Sequence, residues 1–362
     1  MTDAKSGSLP TKNIPAIVLG GTGYVSGELL RLILGHPSFT LAGVMSDSSP
    51  GELAGKSFPH LAGALGDTAF KSQAEISAII AREPTTAVFC AAPHGAAAAL
   101  IDNLLKTAEA AGTRPRFVDI SADFRFATAA GYEAVYKHAH GAPHRLAQFT
   151  CAVPEHLKKV NTLHVGHPGC FSTAILLASV PLLASGMVEP TLFVSGVTGS
   201  TGSGRKPVEG THHPTRHSDL YSYGALGHRH TPEITALAKA SSGVDAHYSF
   251  VPHSGPFARG IHATVQAQLK SPRDSAAVVG MLREFYAGCP FVRVLDSAPR
   301  VKDIVASNYA HLGAAANGRT VAVMSVVDNL NKGAAGGAVQ WMNRLFDLPE
   351  TAGLTAPAAG WT

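Results

Sequence analysis

A short apolar run, Ala16-Ile17-Val18-Leu19, passes straight into Gly20-Gly21-Thr22-Gly23-Tyr24-Val25-Ser26-Gly27. The helical pattern Glu28-Leu29-Leu30-Arg31-Leu32-Ile33-Leu34 follows and closes at Gly35-His36-Pro37. No other segment constrains the fold as strongly. A continuously apolar strand belongs in a parallel sheet covered on both faces. Strand, glycine turn and helix together make the first βα unit of such a sheet. A side chain at Gly20 or Gly23 would hold a pyrophosphate away from the backbone N–H groups and the helix N-terminus. A tight βα turn that binds nothing is the plainer alternative, and the turn's place between buried strand and amphipathic helix favours the nucleotide.

The same unit recurs. Phe39 to Met45 reads as a strand ending at Ser46-Asp47-Ser48-Ser49, where the adenosine ribose lies in this kind of unit. An acid there favours a free 2′-hydroxyl, whereas hydroxyls and Arg favour a 2′-phosphate. Asp47 among three serines, with no Arg adjacent, leaves both cofactors open. Ala87 to Ala92 is a further strand, with Cys90 a buried structural thiol inside it. Pro93-His94-Gly95 follows at the strand end where doubly wound sheets place ligands, and a helical run covers Ala96 to Leu105. Arg116 to Ile120 is the fourth strand, with Ser121-Ala122-Asp123-Phe124-Arg125 as its terminal loop.

Composition limits what such a chain does. At 362 residues, two domains are expected. With 45% hydrophobic and only 15% charged residues, wholesale disorder is excluded. A net charge of +4 offers no basic stripe for nucleic acid. Cys90, Cys151, Cys170 and Cys289 show no Cys-x-x-Cys spacing, which fits a reducing cytoplasm. Residues 1–13 read as a polar tail without the apolar core of a secretory signal. Gly169 to Val188 is uncharged, yet Ser172, Thr173, Ser179, Pro181, Ser185 and Gly186 interrupt it, so a buried helix is expected rather than a membrane span.

Chemistry concentrates around Cys170. Pro168 and Gly169 break the chain, and a Leu-rich helical pattern starts immediately afterwards. A cysteine at a helix N-terminus is expected to have a lowered pKa and to act as a nucleophile. Ser172 and Thr173 can cap that turn or donate to an oxyanion. The strand Leu192 to Val197 runs into Thr198-Gly199-Ser200-Thr201-Gly202-Ser203-Gly204-Arg205-Lys206, whose N–H groups, hydroxyls and two cations suit a phosphate or carboxylate. Thr211 to His217 is His-rich, but Pro214 interrupts any helical ligand pair, so a solvated loop and no metal are expected. Thr231 reads as the cap of a helix with Pro232 at its first position, and Glu233 lies in the first turn. His228 and His230 precede that helix on an extended approach, and either one serves as proton carrier to a thiol nucleophile.

The remaining strands are Tyr248 to Val251, Gly260 to Leu269, Phe291 to Leu295 and Val321 to Val327. Gly260 to Leu269 alternates, as in an antiparallel sheet covered on one side. Asp274 is a plausible N-cap for a helix through Ala287. Asp328 to Gly337 reads as a loop, in which Asn329 can bond a carboxamide, before a helix over Ala338 to Leu345. Glu350 to Thr362 reads as a surface strap.

On these residues the chain resembles the N-acetyl-gamma-glutamyl-phosphate reductase family, from about Ile14 to Leu354. The resemblance lies in GGTGYVSGELLRL (20–32), SADFR (121–125), HPGCFSTA (167–174), GSGR (202–205), HRHTPEI (228–234) and DNLNKGAAGGAVQ (328–340). It implies an α/β fold with an N-terminal Rossmann NADP-binding domain over 14–166. A catalytic and dimerisation α+β domain with a mixed sheet would follow over 167–328, and a C-terminal helix and strap over 329–362 would return to the first domain. It also implies NADPH-dependent reduction of an acyl phosphate in arginine biosynthesis, by a cytoplasmic homo-oligomer, dimer or tetramer. Cys170 is then the nucleophile that forms a thioester, and His228 the acid/base.

Gly20, Thr22, Gly23, Tyr24 and Val25 fall to the nucleotide turn, with Ser46, Pro93, Ser172 and Asn329 also at the cofactor. Ser121, Arg125, Arg205 and Arg259 are the expected partners of the substrate's anionic groups. The chain departs from the family at His167, Phe171 and Ser172, which stand for Asn, Tyr and Pro, so His167 competes with His228 as proton carrier. The basic residue usual after the second strand is missing. The alternatives are a reductase of aspartyl, N-succinyl-glutamyl or aminoadipyl phosphate, and a non-catalytic NADP-binding sensor.

Overall fold

The computed structural model describes residues 13–360. Two sheets organise them. The first is built from β1 (Ile14–Leu19), β2 (Phe39–Met45), β3 (Ala87–Cys90), β4 (Arg116–Asp119), β5 (Phe149–Cys151) and β6 (His164–Gly166). Its order is β2-β1-β3-β4-β6-β5 and every pairing is parallel. The apolar run of β1 shows why. Ala16 and Val18 face one core with Leu29, Leu30 and Ile33, and Ile17 and Leu19 face the other with Ile76, Ile80 and Ile101. A period of two with both faces buried leaves no place for polar alternation.

The helices Tyr24–Leu34, Gln73–Arg82 and Ala97–Ala111 cover these faces. The second carries a reciprocal cap: Glu75 N–H donates to Ser72 Oγ, and Ser72 N–H donates to Glu75 Oε2 at 2.8 Å. The chain between the second and third strands gives no periodic signal in the sequence, and here it forms short turns before this helix.

The second sheet contains β7 (Val188–Thr198), β8 (Tyr221–Ser222), β9 (His247–Ser254), β10 (Ile261–Leu269), β11 (Val292–Val294), β12 (Ala310–Asn317) and β13 (Thr320–Val327). Its order is β11-β12-β13-β10-β7-β9-β8. β10 runs antiparallel to β13 and β7, whereas β7 and β9 are parallel, so the sheet is mixed. The helix Cys170–Ala184 lies on its inner face and is buried along almost its whole length. The uncharged stretch is therefore core, and among the described residues no helix is long and apolar enough to cross a membrane. On the outer face Phe193 is 57% exposed.

Asp328 to Gly337 differs from the loop expected. It forms a buried π-helical turn, Asn331–Ala335, in which Ala335 N–H reaches Leu330 O at 2.9 Å, and it runs directly into the helix Gly336–Leu345. The cause is close packing. A Cβ at Gly336 would stand 1.9 Å from Asn331 Oδ1, and one at Gly337 would stand 2.0 Å from His167 Nε2. The C-terminal helix packs on the first sheet, its Trp341 and Met342 sharing a core with Leu29 and Leu30. The buried Lys332 Nζ meets Glu155 Oε1 and Gln340 Oε1, each at 2.6 Å.

Candidate active site

The turn His167-Pro168-Gly169-Cys170 leaves the end of β6 and enters the buried helix, with Gly169 as N-cap. A Cβ there would stand 2.6 Å from His230 Nε2 and 3.0 Å from Arg125 Nη1, so a side chain would have to displace both groups. Two buried side chains hold the turn. Glu233 Oε1 accepts from Gly169 N–H at 2.7 Å. Arg125 donates from Nε to His167 O and from Nη2 to Ile120 O, each at 2.9 Å, and from Nη1 to Glu233 Oε2 at 3.3 Å. Arg125, expected on substrate, thus braces the cysteine turn and lines the cleft as well. Sequence reasoning placed Glu233 only as a first-turn acid. The compact run His228-Arg229-His230-Thr231-Pro232-Glu233 is the signal that marks it.

The electrostatics revise the expected thiolate. Burial pushes the Cys170 thiol up, and Arg125, the Phe171 N–H and Arg229 pull against that without reversing it. Burial, and then the Arg229 cation, bring His228 down to about 4. Burial holds His230 far below its ordinary value. His228 Nδ1 accepts from His230 N–H at 3.2 Å, which leaves Nε2 to carry the proton of the neutral ring. At neutral pH the site therefore holds a thiol beside neutral imidazoles. The cap also differs from expectation: His230 takes the N-cap position, and Thr231 Oγ1 is buried without a partner.

Cys170 stands where two hollows meet. One, about 530 Å³, runs from Gly23, Tyr24 and Val25 past Pro93 and Ser121 to Cys170, with Arg205 and Asn329 also on its walls. The other, about 520 Å³, joins Cys170 to His228, Tyr223, Thr198 and Ser254. Asn329 is braced within its wall, with Oδ1 accepting from Gly260 N–H at 2.7 Å and Nδ2 donating to Thr201 Oγ1 at 3.0 Å.

Several expected residues lie elsewhere. Gly20 sits beneath the turn at φ +87°, where a Cβ would stand 2.5 Å from Ala91 O, so its left-handed conformation and its closeness both require glycine. Thr22 offers its carbonyl to Arg205 Nη1 at 3.0 Å. Ser46 is buried, its Oγ 3.2 Å from Ser48 Oγ. Ser172 is fully buried and its Oγ has no partner. Arg259 is held by Glu28 Oε1 at 2.7 Å and Asp328 Oδ2 at 3.0 Å, so its charge is spent joining the first helix to the end of β13. His167 is fully buried and burial lowers it to about 3, with Nδ1 2.6 Å from Pro168 O; it lines neither hollow. In the His-rich segment, the His213 and His217 rings lie 5.1 Å apart on exposed chain.

The first hollow fits a dinucleotide. Gly23 caps the helix Tyr24–Leu34 with nothing within 4 Å of a Cβ position, so an anion can approach the free N–H groups behind it. Arg205 and Lys206 stand across the hollow, which continues to the cysteine.

Comparison with known proteins agrees with this geometry. The description semialdehyde dehydrogenase, NAD binding domain, matches residues 15–164, and semialdehyde dehydrogenase, dimerisation domain, matches residues 170–329. The N-acetyl-gamma-glutamyl-phosphate reductase of Acidithiobacillus ferrooxidans is 38% identical over 94% of this chain and 98% of its own. That of Symbiobacterium thermophilum is 38% identical over 93% and 96%. Among solved structures, aspartate semialdehyde dehydrogenase II of Vibrio cholerae shares the fold at a TM-score of 0.67 and 15% identity, covering 92% of this chain and 98% of that one. Aspartate semialdehyde dehydrogenase with NADP from Candida albicans does so at 0.63 and 15%, with the same coverage.

Proposed function

The chain belongs to the semialdehyde dehydrogenase family, among its N-acetyl-gamma-glutamyl-phosphate reductases, and we propose that it reduces N-acetyl-gamma-glutamyl phosphate with NADPH to N-acetyl-glutamate 5-semialdehyde and phosphate, in arginine biosynthesis. One observation carries this reading: Cys170 opens a buried helix at the junction of a dinucleotide-shaped hollow and a second hollow that holds a neutral histidine.

Cys170 Sγ attacks the acyl carbon, the C–O bond to phosphate breaks, and the thiol proton leaves with the phosphate. The Gly169 turn, fixed by Glu233 and Arg125, keeps Sγ in place during that attack. NADPH, when bound, supplies the hydride that reduces the thioester carbon. His228 donates a hydrogen bond from Nε2 to the acyl oxygen while the carbon is reduced, and as the C–S bond breaks and the aldehyde forms the departing sulfur takes one proton from solvent, which restores the Cys170 thiol. The N–H groups opening the cysteine helix favour negative charge on that oxygen. Gly23, Tyr24 and Val25 would hold the pyrophosphate, and Asn329 and Pro93 would lie toward the nicotinamide end.

The outer face of the second sheet, with Phe193 57% and Leu226 70% exposed, is the surface on which a second copy would dock. The four free cysteines suit a reducing cytoplasm.

The test is phosphate-dependent reduction of NADP⁺ with N-acetyl-glutamate semialdehyde, comparing wild type with Cys170→Ser. Activity in the wild type and its loss in the variant are expected. Equal activity in both proteins would exclude the covalent route, and a folded, NADP-binding but inactive wild type would exclude this substrate.

A further inference from the structure

We propose that Arg205 binds the adenosine 2′-phosphate and so sets the preference for NADP over NAD. The proposal rests on the nucleotide reading of the glycine turn. The strand end where the ribose lies carries no cation: Ser46-Asp47-Ser48-Ser49 offers hydroxyls and an acid, and an acid alone would select NAD. Lys71 bridges to Met45 through its backbone, but its side chain turns back over Gly43 toward Glu75 Oε1, 3.9 Å away.

The missing charge arrives from the second sheet. Arg205 follows β7 on the loop 198–206, and its Nη1 donates to Thr22 O at 3.0 Å. Its guanidinium lies 5.7 Å from the centre of the Phe58 ring. Thr22 follows Gly21, whose N–H bonds Met45 O, the last residue of β2, at 2.6 Å. Arg205 therefore stands beside the crevice between the glycine turn and the end of β2, where the ribose 2′ position falls. Among the described residues its one hydrogen-bond acceptor is that carbonyl, and no carboxylate neutralises it. A carbonyl and an aromatic face orient the guanidinium while its other N–H groups stay free for an anion. Asn329 and Ala258 brace the loop through Thr201 Oγ1, at 3.0 and 2.6 Å, so the charge sits on a fixed support.

The experiment is isothermal titration of wild type, Arg205→Gln and Arg205→Lys with NADP⁺, NAD⁺, 2′,5′-ADP and 5′-AMP. The Gln variant is expected to bind NADP⁺ and 2′,5′-ADP roughly ten- to a hundred-fold more weakly, the scale of one charge-assisted contact, with NAD⁺ and 5′-AMP unchanged. The Lys variant should recover part of the 2′-phosphate discrimination. Equal weakening of NADP⁺ and NAD⁺ would place Arg205 on the pyrophosphate instead and overturn the proposal, as would unchanged NADP⁺ binding. Failure of the wild type to bind all four ligands would overturn the nucleotide reading itself.

Discussion

Cys170 rests as a thiol, and that has a measurable consequence. A nucleophilic cysteine paired with a protonated histidine would alkylate fast at neutral pH. Here burial holds the thiol up, and His228, near 4, is neutral at pH 7 and supplies no stabilising charge. The rate of iodoacetamide inactivation of the free enzyme should therefore rise with pH to a midpoint above that of an ordinary cysteine. Arg229 pulls the thiol down, so Arg229→Ala should move that midpoint further up. A midpoint below 7 would show a standing thiolate pair and refute this account. The place of Cys170 at the start of a helix is legible in the sequence because Pro168-Gly169 breaks the chain and a leucine-rich run follows. Glu233 and Arg259 were not, because their roles depend on groups far along the chain: the Gly169 N–H for one, Glu28 and Asp328 for the other. Charge alone suggested that Arg259 binds substrate, and only the packing shows its charge already matched.

Among the elements, the π-helical turn Asn331–Ala335 bears most directly on the cysteine. A Cβ at Gly333 would stand 2.8 Å from Cys170 Cβ, closer than real Cβ contacts come, and 3.1 Å from its Cα. Gly333→Ala should cost about 1–3 kcal/mol of stability, as overpacking does, and should also displace Cys170, the proposed nucleophile. We expect thermal unfolding a few degrees lower together with a disproportionate fall in kcat/KM, measured on the fraction that remains folded. Full activity alongside a lowered Tm would mean that the turn supports the helix without positioning Sγ. The same turn marks the limit of sequence reading. β1, β2 and β3 were legible because apolar runs next to glycine turns have few other uses. β5 and β6 are three residues each, and β12 is the Gly/Ala-rich Ala-His-Leu-Gly-Ala-Ala-Ala-Asn. Such segments carry no periodicity, and their neighbours in the sheet decide them. Small residues between Gly333 and Gly337 suggest a loop until the groups they must approach are known.

Across the whole molecule, the two sheets are joined by buried polar contacts and stocked with histidines kept neutral. Arg259 ties Glu28 to Asp328, and Lys332 ties the C-terminal turn to Glu155. Burial brings His156 and His228 to about 4, and His164 and His167 to about 3. In the unfolded chain each titrates near 6.5, so between that value and its folded value the unfolded state binds the extra proton. Their stabilising effect is complete above about pH 6.5 and is withdrawn as pH falls, at up to about 1.4 kcal/mol per pH unit for each histidine. Asp119, pushed up to about 7 by burial and by Asp123, acts in the opposite sense and offsets one of them. The carboxylates held low, such as Asp102 at about 2, contribute only at more acid pH. Unfolding followed by circular dichroism should therefore show a Tm level from pH 8 to 7 and dropping steeply from 6.5 to 4.5, with net proton uptake on unfolding in that window. His164 lies deep in the first sheet, away from Cys170, with Nδ1 accepting from Phe117 N–H at 3.2 Å. His164→Asn removes its titration, so that variant should start less stable and lose less between the same limits. A Tm that stays level down to pH 5 would mean that these histidines already carry protons in the folded protein, contrary to their burial.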